Sequence, residues 1–189
     1  AVCGNNNTGV GNEALLVFTG ADATAVGSGA ADALTSATNT VAIGKDALGA
    51  TTDGHNNTAV GASSLNLADA GDNNVAVGYT ALSNFTGSSA VAVGVGAADA
   101  ATSAAGLVAI GINALGANTD GHYNTAVGSS AAVANISADN ITAIGRHSQY
   151  SNTGGDSNTS VGMNSLYNCA TGSENTVVGA YAAHGLLGS

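Results

Sequence analysis

Asn56-Asn57-Thr58-Ala59-Val60-Gly61 is the stretch on which the reading of this chain turns, because close copies of it recur along the whole length. A Val or Ile followed by Gly places glycines at Gly11, Gly27, Gly44, Gly61, Gly78, Gly94, Gly111, Gly128, Gly145, Gly162 and Gly179. The gaps between them are 16 or 17 residues throughout. A fixed period in this range marks a chain assembled from stacked copies of one small unit. The expected fold is all-β: a parallel β-solenoid of about eleven coils of about 17 residues, forming a single domain over 1–189.

Each copy has the same internal order. The residue before the glycine is Val or Ile without exception (Val10, Val26, Ile43 and so on to Val178), and two positions further back stands Thr or Val. Between them lies a small residue, mostly Ala, as in Ala25, Ala42, Ala59 and Ala76. β-Branched residues alternating with Ala spell a short strand. The branched columns are expected to face the coil interior, which leaves the Ala column outside as a candidate lateral interface. Ala or Ser at the third position after each glycine, and Leu at the fourth in six copies, complete a thin core. One coil buries too few aliphatic side chains to offset its ordering entropy, so stacking is obligatory. The glycine supplies a backbone conformation or a close approach that a Cβ would block. Asn recurs four residues before the glycine, at Asn7, Asn57, Asn74, Asn124, Asn158 and Asn175, and stacked amides are expected to form a ladder.

A longer repeat overlies the coils. Residues 27–61 and 94–128 match at 26 of 35 positions with an offset of 67, and both carry Asp-Gly-His, at Asp53–His55 and Asp120–His122. Duplication of a block of four coils accounts for this.

Composition narrows the function. Net charge is −10, and Lys45 and Arg146 are the only fixed cations. Nucleic acid is disfavoured, because its binding requires cations that neutralise phosphates. Anionic membrane surfaces are disfavoured for the same reason. Apolar residues come in runs of two or three, far short of the ~20 that span a bilayer. Cys3 and Cys169 lie near opposite ends of the sequence, so two free thiols are expected rather than an intrachain bridge.

The Asn39–Gly44 stretch, Asn-Thr-Val-Ala-Ile-Gly, and its copies resemble the head repeats of trimeric autotransporter adhesins, the YadA-like head. The resemblance runs from about Asn5 to Ala183. It implies a left-handed parallel β-roll, side-by-side association of three rolls as a homotrimer, and an extracellular or cell-surface location. The period here is longer than in those heads, and neither a heptad stalk nor an anchor barrel falls within these residues. Similar repeats occur in phage fibres and other extracellular proteins.

Catalytic chemistry finds little support. Hexapeptide acyltransferases carry about three branched steps per coil, against one here. His55, His122, His147 and His184 show no metal-ligand spacing and are read as surface-loop residues. Asp72 and Asp156 precede strands in turns that would suit calcium, but the nonapeptide Gly-Asp repeat of calcium β-rolls is absent, and turn aspartates routinely cap backbone groups. No nucleophile–base arrangement can be argued from spacing. The chain is therefore read as a non-enzyme without cofactor or assigned site residues. Ice binding would need outward ranks of Thr. Here Thr shares parity with the column expected to face inward. The function expected is an extracellular structural or adhesive fibre module, self-associating and attaching to a surface ligand or glycan. Open solenoid ends, which expose strand edges, offer end-to-end filament building as the other arrangement.

Overall fold

The computed structural model describes residues 4–66 and 70–185. Eleven strands follow one another in sequence and in space: β1 (Thr8–Val10), β2 (Ala21–Val26), β3 (Thr38–Ile43), β4 (Thr58–Val60), β5 (Val75–Val77), β6 (Val91–Val93), β7 (Val108–Ile110), β8 (Thr125–Val127), β9 (Thr142–Ile144), β10 (Thr159–Val161) and β11 (Thr176–Val178). They form one parallel sheet in the order β1 to β11, each pairing with the next. Register keeps every column straight. Ala59 lies beside Ala42 and Ala76, and Val60 beside Ile43 and Val77. The fold is thus a parallel β-solenoid with one coil per 17-residue repeat.

Two further walls close each coil, and their backbones bond coil to coil as the strands do. Leu48 N–H donates to the Ser64 carbonyl at 3.0 Å and Leu65 N–H to Ala81 at 3.1 Å. Thr35 N–H reaches Thr52 at 2.8 Å and Thr102 N–H reaches Thr119 at 3.0 Å. The wall after each glycine is built from residues that alternate in hand: Asp46 and Leu48 have φ of 55° and 53°, as do Asn113 and Leu115 at 54° and 53°. Left-handed φ costs a non-glycine residue about 1–3 kcal/mol. At Leu48, Leu82 and Leu115 that cost is offset by complete burial, which contributes about 1.5–3 kcal/mol for such a side chain.

The strands face the opposite way from the sequence expectation. Ala25, Ala42, Ala59, Ala76, Ala92, Ala109, Ala126 and Ala143 are all fully buried, whereas Val26, Ile43, Ile110 and Ile144 are 36–40 % exposed. The Thr or Val two positions earlier is partly exposed too, as at Thr58 and Val75. The reason is space. A coil of this size brings the strand close to its opposite walls, and the buried position takes Ala on eight strands and Ser160 on a ninth. A branched side chain within the stack would crowd the Ala47 and Leu48 columns that share the interior, and the one branched residue in this column, Val177, stands on the last strand. The Ala column is therefore the core, and it is not a lateral interface. The branched columns form the outer face.

The repeating glycine serves both purposes expected of it. Gly94 has φ +142°, and a Cβ on it would lie 2.5 Å from the Gly111 carbonyl oxygen of the next coil. Its counterparts at Gly61 and Gly78 are the same, at 2.5 and 2.3 Å from the following glycine's oxygen.

The interior asparagines form the expected amide ladder only at the last step, where Asn175 Nδ2 donates to Asn158 Oδ1 at 3.0 Å; elsewhere in this column they bond to backbone. Asn57 accepts the Asn74 N–H on its Oδ1 at 2.8 Å and donates from Nδ2 to the Gly71 carbonyl. Asn74 repeats this with Ala90 and Gly87. Each amide therefore stitches side chain to the backbone of the next coil, and satisfies groups that no strand reaches. Amide-to-amide contact also runs along the exposed neighbouring column, Asn39 to Asn56 to Asn73, at 3.2 Å a step, and in the interior from Asn135 to Asn118 at 2.8 Å.

Candidate functional site

With the branched columns outside, the rod presents one sheet face made of two ranks of β-branched residues on every strand. Successive strands are spaced by ~4.8 Å, so eleven of them extend ~50 Å. None of the residues in these two ranks is charged. The residue after each glycine widens the face, and along β5 to β7 it is also apolar and exposed: Tyr79 at 58 %, Val95 at 47 % and Ile112 at 54 %. Beside Val75, Val77, Val91, Val93, Val108 and Ile110 these side chains make a nine-residue apolar patch at the middle of the rod. Two strands beyond each side of the patch the same column holds a cation, Lys45 or Arg146. An uncharged apolar strip of this size is characteristic of an interaction surface.

The wall next to this face differs along the rod. From the first coil to the sixth it carries carboxylates: Glu13, Asp32, Asp46 and Asp99. Burial pushes the Asp99 carboxyl above its ordinary value, partly opposed by hydrogen bonds from its own and the Ala100 backbone. In the last three coils the wall turns aromatic. Tyr150, Tyr167 and His184 fall one coil apart, and their rings stack, Tyr150 on Tyr167 at 4.8 Å and 2°, Tyr167 on His184 at 4.9 Å and 23°. His147 meets Tyr150 edge-on at 5.1 Å. The interior changes in step, from Ala and Leu to buried Ser148, Gln149, Asn152, Ser160 and Ser165, which hydrogen-bond among themselves and to backbone.

The residues weighed for chemistry lie as follows. His55 and His122 share one column through the duplication. Each accepts a backbone N–H of the preceding coil on Nδ1, from Thr38 at 3.1 Å and from Ala105 at 3.0 Å. Their own N–H groups donate to Asp72 and Asp139. Asp156 likewise accepts the Asp139 N–H at 2.9 Å, so these aspartates cap backbone groups one coil away. Asp53 accepts hydroxyl hydrogen bonds from Ser36 and Thr35, which hold its carboxyl below the usual range, with His55 adding to the effect. Among the described residues no three His, Cys, Asp or Glu side chains converge to hold a metal ion. Cys169 is a buried free thiol, and Cys3 lies outside the described residues. The aromatic ladder went unread in the sequence, although its signal is there: positions 150, 167 and 184 repeat at the coil period.

No protein-family model, curated protein or solved structure matches this chain.

Proposed function

We propose that the protein is a non-enzymatic structural or adhesive fibre module, working outside the cell or at its surface, whose rods associate side by side through the branched outer face. The observation that carries this reading is the uncharged strip of half-exposed Val and Ile running along all eleven strands, densest at Tyr79, Val95 and Ile112. Identical rods packed face to face remove that strip from water at ~25 cal/mol per Å2 of apolar surface. The repetition of one column on every coil means that a single favourable contact is made many times. The resemblance to adhesin heads favours three rods. The test is sedimentation of the purified chain over a concentration series beside a Val93→Glu, Ile110→Glu variant. A trimer that the variant reduces to monomer is expected. Monomer at all concentrations would sink the proposal, and long fibres from the unmodified chain would transfer it to end-to-end stacking.

Ice binding is the second reading, and a specific observation favours it. The threonines Thr24, Thr58, Thr125, Thr142 and Thr159 face outward, in register, on one sheet face. The sequence expectation placed them inside, and the structure turns them outward. A monomer that shows thermal hysteresis, abolished by Thr125→Asp, is the result that would establish this reading over the fibre.

A further inference from the structure

The aromatic wall of the last three coils lies beside the outer face, and Arg146 stands at the edge of that face two strands beyond its apolar patch, so association centred on the patch leaves both open. Three of the five tyrosines, two of the four histidines and the only arginine of the chain meet there. The stack of Tyr150, Tyr167 and His184 leaves the ring faces against one another, which makes it a rigid backing rather than a platform. Tyr181 is different. It is 57 % exposed and tilted 47° against His184, so part of its ring is open to a ligand.

Arg146 stands two coils away in the adjoining column, a distance of ~10 Å. It is exposed, and among the described residues the only ion pair joins Lys45 to Asp46 and leaves Arg146 without a carboxylate. Between the two positions lies Asn164, whose N–H donates to the Arg146 carbonyl at 3.0 Å. Its side-chain oxygen is the one buried side-chain polar atom without a hydrogen-bond partner among the described residues. On this wall no carboxylate occurs in residues 146–150, 163–167 or 180–184, whereas the same wall of the first six coils carries Glu13, Asp32, Asp46 and Asp99.

We infer that this wall is a binding site for a carboxylated saccharide of at least two rings, whose carboxylate takes the Arg146 guanidinium and whose second ring lies on Tyr181. A planar guanidinium engages a carboxylate through two parallel hydrogen bonds, which lysine cannot do. An aromatic face takes the C–H side of a pyranose, and the span between the two groups matches about two sugar rings. A chain of net charge −10 repels anions over most of its surface, so the acidic first six coils reject the same ligand and the site is selective by position. The inference rests on the adhesive reading, for which it names the class of ligand.

The test is a proton NMR titration of the 189-residue chain with sialyllactose and with digalacturonate, with lactose as the uncharged control. At least one carboxylated sugar is expected to shift the Tyr181 and His184 ring signals saturably, and lactose is expected to leave them unmoved. Arg146→Gln, a change at an exposed position, should weaken binding tenfold or more. Lys45→Gln, in the same column on the acidic part of the rod, should leave it unchanged. No saturable shift with either acid, equal response to lactose, or full binding by the Arg146→Gln protein would each overturn the assignment. Sedimentation of the same samples separates the two ideas. A monomer that binds sinks the fibre and keeps the site, and an oligomer that does not bind sinks the site alone.

Discussion

Substitution of Gly94 by Ala should damage the rod far more than the same change at Gly179, and the difference measures how tightly the coils stack. At Gly94 two costs combine. Its φ of +142° lies in a region that L residues rarely adopt, a strain of about 1–3 kcal/mol. The new Cβ would also lie 2.5 Å from the Gly111 oxygen and 2.6 Å from its carbonyl carbon, backbone atoms that cannot turn aside. Relief requires the two coils to part, and the bonds nearest the contact are Gly111 N–H to Val93 at 2.7 Å and Asn113 N–H to Val95 at 2.9 Å. Losing both adds about 0.5–1.5 kcal/mol each, for a total of about 2–6 kcal/mol. Gly179 has a similar φ of +124°, but a Cβ there meets only the Ala182 Cβ at 3.7 Å, an ordinary contact. Strain alone remains, about 1–3 kcal/mol. Repeat rods can open from one end, so global denaturation should be accompanied by hydrogen exchange at the Gly111 and Asn113 amides. Fast exchange at both in the Gly94→Ala protein, with protection retained in Gly179→Ala, is the expected result. Equal loss of stability in the two proteins, with both amides still protected in Gly94→Ala, would refute the stacking argument.

The other predictions follow from the same geometry. Gly9 occupies the Ala column with ordinary contacts, 3.5 Å to the Ala14 oxygen and 3.6 Å to Leu15 Cδ1, so Gly9→Ala should stabilise by about 0.5–1 kcal/mol in a denaturant melt. Ala92→Val forces a branched side chain into a fully buried position and should cost about 1–3 kcal/mol, whereas Val93→Thr, facing outward, should change the melt little; the reverse ranking would reinstate the inward branched column. Asp53 titrates lower in the folded chain than in the unfolded one, so its contribution is present above the ordinary aspartate range and is lost as pH falls through its lowered value. A stability gap between the wild type and Asp53→Ala should therefore be seen at neutral pH and narrow in acid. Asp99, raised by burial, has the opposite sign: Asp99→Asn should gain stability at neutral pH and lose that gain once acid protonates the wild-type carboxyl.

The coil count, the period and the need for stacking could all be read from the glycine column, because a residue needed for both φ and contact repeats without exception. The facing of the strands could not be read by the usual rule that β-branched residues are buried. The Ala column held the better clue. Interior positions of a narrow coil are recognised by a ceiling on size, and this column holds Ala on eight strands, Gly9 and Ser160 on two more, and the larger Val177 only on the last. The partner column switches between Val and Ile because nothing within the chain limits its reach. Left-handed Leu48 or Leu115 was invisible for another reason: a residue's burial can outweigh its backbone preference, and only the assembled coil supplies that burial. The aromatic wall was missed because Tyr and His were read as separate residue types, although rings of either kind stack at one coil spacing.

The glycine-over-glycine contact also bears on how such a protein changes over generations. Each cross-section recognises only the one above and the one below, through a contact that is the same everywhere. A whole coil, or several, can therefore be spliced in or out without disturbing the fit of any other. The 67-residue offset between residues 27–61 and 94–128 is the trace of one such event. Length in this molecule is a digital quantity, altered in whole coils of ~4.8 Å, and any feature on one wall can be moved along the axis by counting coils rather than by redesigning the interior.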